Sequence, residues 1–372
     1  MLSHDIKHVF LVSSAEVFSP LYLDALLYKA NILPESICVV YFQSNASFVK
    51  EPKRIGHINY VNFSEVDRSI FINAKTITYF SLSPLNSSHV KEVLEIDSNI
   101  KNKCYMFITD DEVERWLKCI DKYGCIKPDA KLLISDNDVW VLGRQQYFIA
   151  LDTTFRNKLK RVLERSDIKI VDAGVIFDTL PTLCSEKLES AINLESIHKV
   201  KRIMLGSKPN AFNYKEIKSF LSEFVSRGIH KQYKFIVMWP SQQWRKRVIL
   251  ELYLFYLRKF KKEVVDLSVI TSLSPLSYTT LVMSNTHLVL QPRGGASTAR
   301  QFMKWGQGVV CVASDSHNDQ FFCESQSVDL IRYRTYSQLI DQLERDVDIV
   351  SNANKIKAEE KRSLDMLIEL YS

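Results

Sequence analysis

The sequence predicts an α/β fold made of two Rossmann-like domains that face each other across a cleft. The chain has 372 residues, about twice the size of a typical domain. Short apolar segments alternate with helical segments, which is typical of parallel sheets covered by helices on both faces. Hydrophobic residues make up 46% and charged residues 25%, an ordinary globular composition that can form two cores without disulfides.

The second half of the chain shows this alternation most regularly. Asn213 and Glu216 form a capping-box pattern that predicts the start of one helix. Ser274 and Pro275 supply an N-cap and a first-turn proline for another. The predicted strands are 200–206, 233–239, 263–270, 287–291, 308–313 and 328–331, and the predicted helices are 213–227, 242–262, 274–285, 298–305 and one from residue 336 onward. We therefore predict one Rossmann-like domain over residues 200–350.

The first half follows the same order of elements less regularly. Its predicted strands are 7–13, 37–42, 76–82, 103–108, 131–135 and 168–172, and its predicted helices are 21–30, 89–94, 110–123 and 154–165. We expect a first Rossmann-like domain over residues 1–185 and a linker over 186–199. A charged helix over residues 351–372 is expected to pack back on the first domain.

The charge balance and the apolar runs limit the kind of partner. The chain has 49 Lys and Arg against 43 Asp and Glu, a net charge of +6 that is too small for a dedicated nucleic-acid binder. It leaves room for an anionic ligand or an anionic membrane surface. The apolar runs are far shorter than a membrane span, and the polar start does not resemble a signal peptide. Seven cysteines without C-x-x-C spacing indicate reduced thiols. We therefore expect a cytoplasmic protein, which could also contact the inner membrane peripherally.

The loop after the strand 287–291 is the strongest indication of a binding site. Arg293, Gly294 and Gly295 precede a predicted helix that carries Ser297 and Thr298 near its start. The free N–H groups and the dipole of a helix N-terminus favour an anion, glycines let a phosphate approach the backbone, and arginine adds a planar cation. We predict that these residues bind a diphosphate, and that Gly295→Val blocks it without unfolding the domain if the backbone there tolerates a side chain. The alternative is a tight turn with a capping serine and a surface arginine.

Two more polar loops are predicted at the same edge of this sheet, beyond the carboxyl ends of its strands. Gly206, Ser207 and Lys208 follow the first strand of the domain, and Asn318 lies in the loop after a later strand. We assign these four residues to the same site, with Lys208 as a contact to a phosphate. The alternative for Lys208 is an ordinary solvated lysine. His317, beside Asn318, is more typical of a surface or capping histidine.

Four segments of the second half resemble one family of bacterial enzymes. They are Ile203-Met-Leu-Gly-Ser207, Tyr278-Thr-Thr-Leu-Val-Met-Ser-Asn285, Arg293-Gly-Gly-Ala-Ser-Thr298 and Asn318-Asp-Gln320. Over about a third of the chain they resemble the family that transfers 4-acetamido-4,6-dideoxygalactose from a dTDP-sugar to a lipid-linked oligosaccharide. The first half departs from that family, because only Ser135-Asp-Asn-Asp-Val-Trp140 stands near the place of its histidine- and tryptophan-containing acceptor segment. The resemblance implies the B-type (GT-B) glycosyltransferase fold and a role in surface-polysaccharide assembly.

A transferase that inverts the anomeric configuration needs a general base near the acceptor hydroxyl, and carboxylates at strand ends are the candidates. Asp136 follows the predicted strand 131–135, and Glu16 follows the first strand. We choose Asp136 first and Glu16 second, because Asp110 is more typical of a helix N-cap. Apart from the spacing of Asp136 and Asp138, nothing resembles the D-x-D motif of metal-dependent transferases. We therefore predict a reaction without a metal or other cofactor.

Two basic helical segments are candidates for membrane contact. Residues 244–262 are basic at both ends and apolar in the middle. Their position between two strands favours a buried crossover helix with its ends in water, and an interfacial helix on anionic lipid is the alternative. Residues 156–165 are the better peripheral candidate, although such a charged run is usually a solvated face.

Taken together, these features predict a glycosyltransferase with a nucleotide-sugar donor and a glycan or lipid-linked acceptor. The second domain would hold the donor and the first domain the acceptor. One alternative is a polysaccharide pyruvyl transferase, although Arg293-Gly-Gly295 replaces the arginine-x-histidine pair of that family. The other alternative is a non-catalytic GT-B-like assembly subunit.

Overall fold

The computed structural model describes residues 6–14, 16–43, 52–192 and 200–372. The chain divides into two compact units, one formed by Met1–Phe177 with Glu360–Ser372 and the other by Asp178–Glu359. Each unit is built on one parallel β-sheet. Among the described residues, every helix is too short or too polar to span a bilayer.

The first unit has a seven-stranded parallel sheet in the order β3-β2-β1-β4-β5-β6-β7. Its strands are β1 His8–Ser13, β2 Ile37–Phe42, β3 Asn59–Asn62, β4 Thr76–Phe80, β5 Cys104–Phe107, β6 Tyr147–Ala150 and β7 Lys169–Asp172. Strands β2 and β4 consist of buried residues throughout, as expected for strands covered on both faces. Because β1 pairs with both β2 and β4, the sheet reverses its direction of winding between β1 and β4.

Helices cover this sheet and close its core. They are α1 Ser19–Tyr28, α2 Ser69–Asn73, α3 Ser87–Ile96, α4 Asp111–Tyr123, α5 Asp136–Leu142 and α6 Asp152–Leu163. Phe10 and Tyr22 lie in the core of this unit, and so do Leu367 and Tyr371 from the far end of the chain. The Tyr371 hydroxyl is hydrogen-bonded to Thr78 Oγ1 at 2.9 Å, so the end of the chain is also held by polar contacts in the core.

The second unit has a six-stranded parallel sheet in the order β10-β9-β8-β11-β12-β13. Its strands are β8 Arg202–Leu205, β9 Lys234–Met238, β10 Leu267–Ile270, β11 His287–Val289, β12 Val309–Ala313 and β13 Ile331–Tyr333. This is the strand order of a dinucleotide-binding Rossmann domain, whose ligand lies where the order reverses. In this unit that point lies between β8 and β11.

The helices of the second unit are α7 Thr182–Ala191, α8 Tyr214–Ser226, α9 Trp244–Tyr256, α10 Pro275–Met283, α11 Ala296–Lys304, α12 His317–Asp319, α13 Tyr336–Gln342 and α14 Ile349–Tyr371. The predicted capping box of Asn213 and Glu216 and the predicted cap at Ser274 are both confirmed. Two apolar clusters form the core of this unit. One contains Phe220 and the other contains Phe302.

The predicted strand 131–135 in the first unit is wrong. The Asp129 carboxylate accepts hydrogen bonds from the amides of Lys131 and Leu132, which winds Ala130–Leu132 into a 3-10 turn. Leu133 then has φ +53°, which is incompatible with a strand. Strands β3 and β6, of four residues each, were not predicted.

The boundaries of the units also differ from the predicted domains. The first unit ends at Phe177 rather than at residue 185, and the predicted linker 186–199 begins inside α7. The rest of that linker, residues 193–199, lies outside the described residues. The predicted C-terminal helix is divided, because Glu360–Ser372 belongs to the first unit and the preceding turns of α14 belong to the second.

Helix α9 connects β9 to β10, but it is not the buried crossover helix that we favoured. Leu250 is its buried residue, and most of its other apolar side chains are exposed. A single π turn, Leu257–Lys261, continues the helix and ends at Lys262, which has φ +55°.

Candidate functional site

Two polar loops meet where the second sheet reverses its winding. One follows β8 and begins at Gly206, and the other follows β11 and begins at Leu290. The Gly206 amide donates to Val289 O at 2.8 Å, which fixes the two loops side by side. Gly206 itself has φ +74°, and a Cβ there would lie 2.2 Å from Ala211 Cβ. Gly206 therefore serves the turn, and any contact that it makes with a ligand comes from its backbone.

The Gln291 side chain joins the two loops. Its Oε1 accepts from the Ser207 amide at 3.2 Å, and its Nε2 donates to Ser207 Oγ at 3.1 Å and to Gly294 O at 2.8 Å. Gln291 is 4% exposed, so these bonds are shielded from water. The side chain holds Ser207 and the glycine turn in one fixed arrangement.

Gly294 and Gly295 form a turn in which both residues have positive φ, at +79° and +83°. A Cβ on Gly295 would lie 2.1 Å from Ser207 Oγ and 2.9 Å from Gln291 Nε2. Gly295 therefore has neither the backbone angles nor the room for a side chain. The condition under which Gly295→Val was expected to leave the domain intact is not met. A Cβ on Gly294 would meet Lys208 Nζ at 3.1 Å, so the lysine ammonium lies directly over the turn.

Helix α11 begins immediately after this turn. Its N-cap residue is Gly295, which has no side chain to bond the amides of the first turn, where Ser297 lies. Free amides at a helix N-terminus and the helix dipole favour an anion. Thr298 is part of the supporting frame instead, because its Oγ1 lies 3.0 Å from the Tyr278 hydroxyl, which donates to Ser207 O at 2.7 Å.

Two cations flank the glycine turn. Arg293 directly precedes it and is partly exposed, and Lys208 is exposed in the neighbouring loop. Together with the N-terminus of α11, these two cations place positive charge around the glycine turn, whose backbone no side chain covers. Such a combination can bind a phosphate or diphosphate through backbone amides and charge-assisted hydrogen bonds.

Asn318 supports the turn from α12, the short helix that follows β12. Its Nδ2 donates to Gln291 O at 2.7 Å and to Gly294 O at 3.0 Å, and it is 1% exposed. The neighbouring Asp319 is also buried and pairs with Arg332 at 2.6 Å. Burial alone would raise the pKa of Asp319, but hydrogen bonds from Arg332 and from the Asp315 amide hold it below its ordinary value. We conclude that Asn318 positions the turn.

The structure therefore places all nine residues that were predicted to bind the nucleotide-sugar donor in the second unit. They lie in or just after the loops that follow β8, β11 and β12. Close contacts connect Ser207, Lys208, Gly294, Gly295 and Asn318 around the turn. Gln291 and Tyr278 are the important residues that were not assigned to the site. The signal for Gln291 was a polar residue directly after a buried apolar strand. The contacts of Tyr278 join residues far apart in the chain, and no local pattern shows them.

The predicted bases lie in the first unit. Glu16 follows β1, next to the point where the first sheet reverses its winding. Its amide donates to Ser13 O at 2.9 Å, and its Oε1 accepts from the Phe18 amide at 2.8 Å. Burial raises the pKa of Glu16 above its ordinary value, and the amides of Phe18 and Val17 limit the rise. A carboxylate with a raised pKa is a better proton acceptor.

Asp136 does not follow a strand, because residues 131–135 form a turn. It is the exposed first residue of α5, after the N-cap Ser135. Asp138 is the buried partner in this capping box, and its Oδ2 accepts from the Ser135 amide at 2.7 Å. Burial raises the pKa of Asp138, against hydrogen bonds from Ser135. Asp136 as the base stays a prediction, but the topological reason for it is gone.

The comparisons with known proteins match this chain to solved structures. No protein-family model and no curated protein sequence matches the chain. A UDP-forming α,α-trehalose-phosphate synthase from Burkholderia xenovorans matches with a TM-score of 0.57 at 11% identity, over 98% of this chain and 97% of that one. The E. coli trehalose-6-phosphate structure bound with UDP-2-fluoro glucose has a TM-score of 0.57 at 8% identity, over 98% and 97%.

A protein described as a UDP-N-acetylglucosamine 2-epimerase from Listeria monocytogenes also matches. Its TM-score is 0.51 at 10% identity, over 97% of this chain and 91% of that chain. At such low identity the likeness concerns the fold alone. The match extends over both units, each with the parallel sheet described above. This chain therefore has the two-domain, Rossmann-like α/β architecture of the GT-B fold.

Proposed function

We propose that this protein is a glycosyltransferase that moves a sugar from a nucleotide-activated donor to a glycan or lipid-linked glycan acceptor in bacterial surface-polysaccharide biosynthesis. The observation that carries the proposal is the Gly294-Gly295 turn at the N-terminus of α11, with Lys208 Nζ lying over it. The turn stands at the reversal of a Rossmann sheet, where nucleotides bind in this class of fold.

The chemistry of glycosyl transfer explains why such a turn would be used. When the bond between sugar and diphosphate breaks, negative charge grows on the leaving diphosphate. Preorganised amides and cations stabilise this charge more in the transition state than in the ground state. The first-turn amides of α11, Lys208 and Arg293 are the groups that we assign to this task.

The structural neighbours support a nucleotide sugar as the ligand. One is UDP-forming, and another is bound with UDP-2-fluoro glucose. The resemblance of the second half to a dTDP-sugar transferase family adds dTDP to the nucleotides that should be tried. Contact with the inner membrane is part of this proposal, since a lipid-linked acceptor would be presented there.

The experiment is a thermal-shift screen of the purified chain against UDP, dTDP and their sugar conjugates. A ligand at about 100 times its Kd stabilises the folded state by about 2.7 kcal/mol, which the screen resolves. We expect Arg293→Ala to weaken nucleotide binding about 10- to 150-fold, because a charge-assisted hydrogen bond is lost. Lys208→Ala should weaken it in the same direction. Lys215→Ala, an exposed lysine of the same unit, is the matched control and should bind like the wild type.

Turnover separates an enzyme from a non-catalytic subunit. The chain should release nucleoside diphosphate from a nucleotide sugar in proportion to glycosylated acceptor. Nucleotide binding unchanged in both Arg293→Ala and Lys208→Ala would contradict the assigned site. Conversion of the sugar nucleotide without release of nucleoside diphosphate, or transfer of pyruvate, would contradict the proposed reaction.

We infer that Glu16 is the general base of the transfer. Its position after β1 and its raised pKa support this choice over Asp136. Glu16→Gln should lower kcat by about 10²- to 10⁴-fold with nucleotide affinity unchanged, because a positioned proton acceptor is lost. Asp136→Asn is the comparison and should turn over normally. The reverse result, with Asp136→Asn inactive and Glu16→Gln active, would restore Asp136 as the base.

A further inference from the structure

Helix α9 exposes a continuous apolar face. Trp244 and Leu252 are each 61% exposed, and Phe260 in the following π turn is 72% exposed. Val248 and Phe255 are exposed as well. Residues 244, 248, 252 and 255 recur at helical spacing, so they lie on one side of the helix. Single exposed apolar residues are ordinary, but a whole side of a helix indicates an interaction surface.

The opposite side of α9 anchors the helix to the second unit. Leu250 belongs to the core cluster around Phe220, Tyr253 and Leu254 pack against that cluster, and Leu257 is buried as well. The Tyr253 hydroxyl lies 2.6 Å from Ser222 Oγ of α8. This packing fixes the rotation of the helix about its axis. The apolar face therefore points away from the core.

The charge around this face is strongly positive. Between residues 244 and 263 the basic residues are Arg245, Lys246, Arg247, Arg258, Lys259, Lys261 and Lys262, and the acidic residues are Glu251 and Glu263. Glu251 pairs with Arg247 at 3.0 Å, and Glu263 pairs with Lys231 at 2.9 Å. The basic residues cluster at the two ends of the helix, where long side chains can reach past apolar neighbours.

We propose that the exposed side of α9, from Trp244 to Lys262, binds the surface of an anionic lipid bilayer. An interfacial helix combines large apolar side chains, which enter the headgroup region, with lysines and arginines that contact lipid phosphates. The apolar face and the excess of positive charge on the same helix match both requirements. A neutral apolar partner would leave the basic ends without counter-charges.

The other basic helix of the chain, α6, lacks these properties. Its apolar residues Phe155, Leu159 and Val162 are buried. Arg156, Lys158 and Arg161 form ion pairs within the first unit, such as Lys158 with Glu114 at 3.2 Å. The prediction that residues 156–165 contact a membrane therefore has no structural support, and α9 takes its place.

The test uses the full chain with vesicles of phosphatidylcholine, with and without one third phosphatidylglycerol. We expect co-sedimentation with the anionic vesicles, weakened by salt, and a blue shift of Trp244 fluorescence that disappears in Trp244→Phe. Leu252→Ser with Phe255→Ser should lower the partition coefficient by about tenfold or more for each side chain. Lys259→Gln with Lys262→Gln should lower it about fivefold for each charge. Val350→Ser, which removes an exposed valine from α14, should change nothing.

Circular dichroism melting of each variant checks that it is folded. We expect unchanged melting, because the substituted side chains are exposed. Equal binding to neutral and anionic vesicles, or binding to neither, would overturn the proposal. A dimer in sedimentation equilibrium that Leu252→Ser with Phe255→Ser dissociates would also overturn it, because the partner would then be a second copy. This proposal does not rest on the donor site. Nucleotide binding is measured without vesicles, so the membrane proposal and the proposed function are tested separately.

Discussion

Gly295 shows how closely single residues of the candidate site are constrained. We expect Gly295→Ala to destabilise the second unit by roughly 1–3 kcal/mol, because the new Cβ is forced against Ser207 Oγ at a positive φ. Gly294→Ala should cost less, because the tightest contact of its Cβ is 3.1 Å, with the flexible end of Lys208. Urea unfolding of the two variants measures which one loses more unfolding free energy. A larger loss in Gly294→Ala would show that the turn is not built as described.

At this scale the sequence could predict the residues whose roles are local. Arg293, Gly294, Gly295 and Lys208 stand out because glycine and cations directly after a strand have a defined physical meaning. The roles of Gln291 and Tyr278 depend on contacts with Ser207 across 84 and 71 positions of the chain. Only the folded sheet brings these residues together. A polar residue after an apolar run marks Gln291 in the sequence, but no pattern along the chain shows the contacts of Gln291 and Tyr278 with Ser207.

At the scale of elements, β1 carries a buried histidine that makes stability depend on pH. His8 is fully buried, with Nδ1 at 2.9 Å from Thr76 Oγ1. Burial, with the positive charges of Lys75 and Lys7, lowers its pKa from 6.5 to about 4. The unfolded chain therefore binds a proton between these values that the folded chain does not. The resulting stability is fully present above pH 6.5 and is lost as the pH falls toward 4.

We expect protonation linked to His8 to lower the free energy of unfolding by at most about 3 kcal/mol between pH 7 and pH 4. Urea unfolding across this pH range measures it. His8→Asn should flatten this part of the profile while keeping a polar group near Thr76. His57→Asn, at an exposed histidine, is the control. An unchanged slope in His8→Asn would mean that other groups cause the pH dependence.

Helix α11 is held to α14 by a buried ion pair. Arg300 and Glu359 lie 2.8 Å apart and are 8% and 13% exposed. Arg300→Met should cost about 3–5 kcal/mol, because it leaves a buried carboxylate without its partner. Arg300→Met with Glu359→Leu should recover most of this loss. Lys234→Met breaks an exposed pair with Asp266 and should cost less than about 1 kcal/mol in the same urea experiment. Equal losses in both single variants would contradict the importance of burial.

Elements with strong local signals could be predicted, and weak or tertiary ones could not. The buried strand β2 was predicted at its observed bounds, 37–42, because its apolar run is bounded by polar turns. The false strand 131–135 has a similar apolar core, but Asp129 captures the amides that a strand would need. The exposure of α9 was also missed, because an apolar helix between two strands is usually covered.

At the scale of the whole molecule, we expect the reaction to need no divalent cation. In the proposed reaction the amides of α11, Lys208 and Arg293 would supply positive charge to the leaving diphosphate, which is the task that a metal performs elsewhere. Activity should therefore persist in excess chelator. A strict requirement for magnesium or manganese would refute this and direct attention to the carboxylates of the first unit.

The two-sheet architecture could be predicted from the sequence because it follows from the alternation of strands and helices along the chain. The division into units could not be predicted at the same level. The expected packing of the C-terminal helix on the first domain applies to Glu360–Ser372, which include Leu367 and Tyr371. The point at which α14 passes from one core to the other depends on side-chain packing, and composition and periodicity do not mark it.

The return of residues 360–372 to the first unit has a consequence for protein synthesis. Leu367 and Tyr371 leave the ribosome after the whole of the second unit has been made. At typical elongation rates the residues after Phe177 take roughly 10–40 s to appear, and throughout this time the core of the first unit is incomplete. The first unit therefore completes its core last, although most of its sequence is translated first. Nascent chains stalled before residue 360 should leave the first core accessible to proteases and chaperones, and the released full chain should protect it.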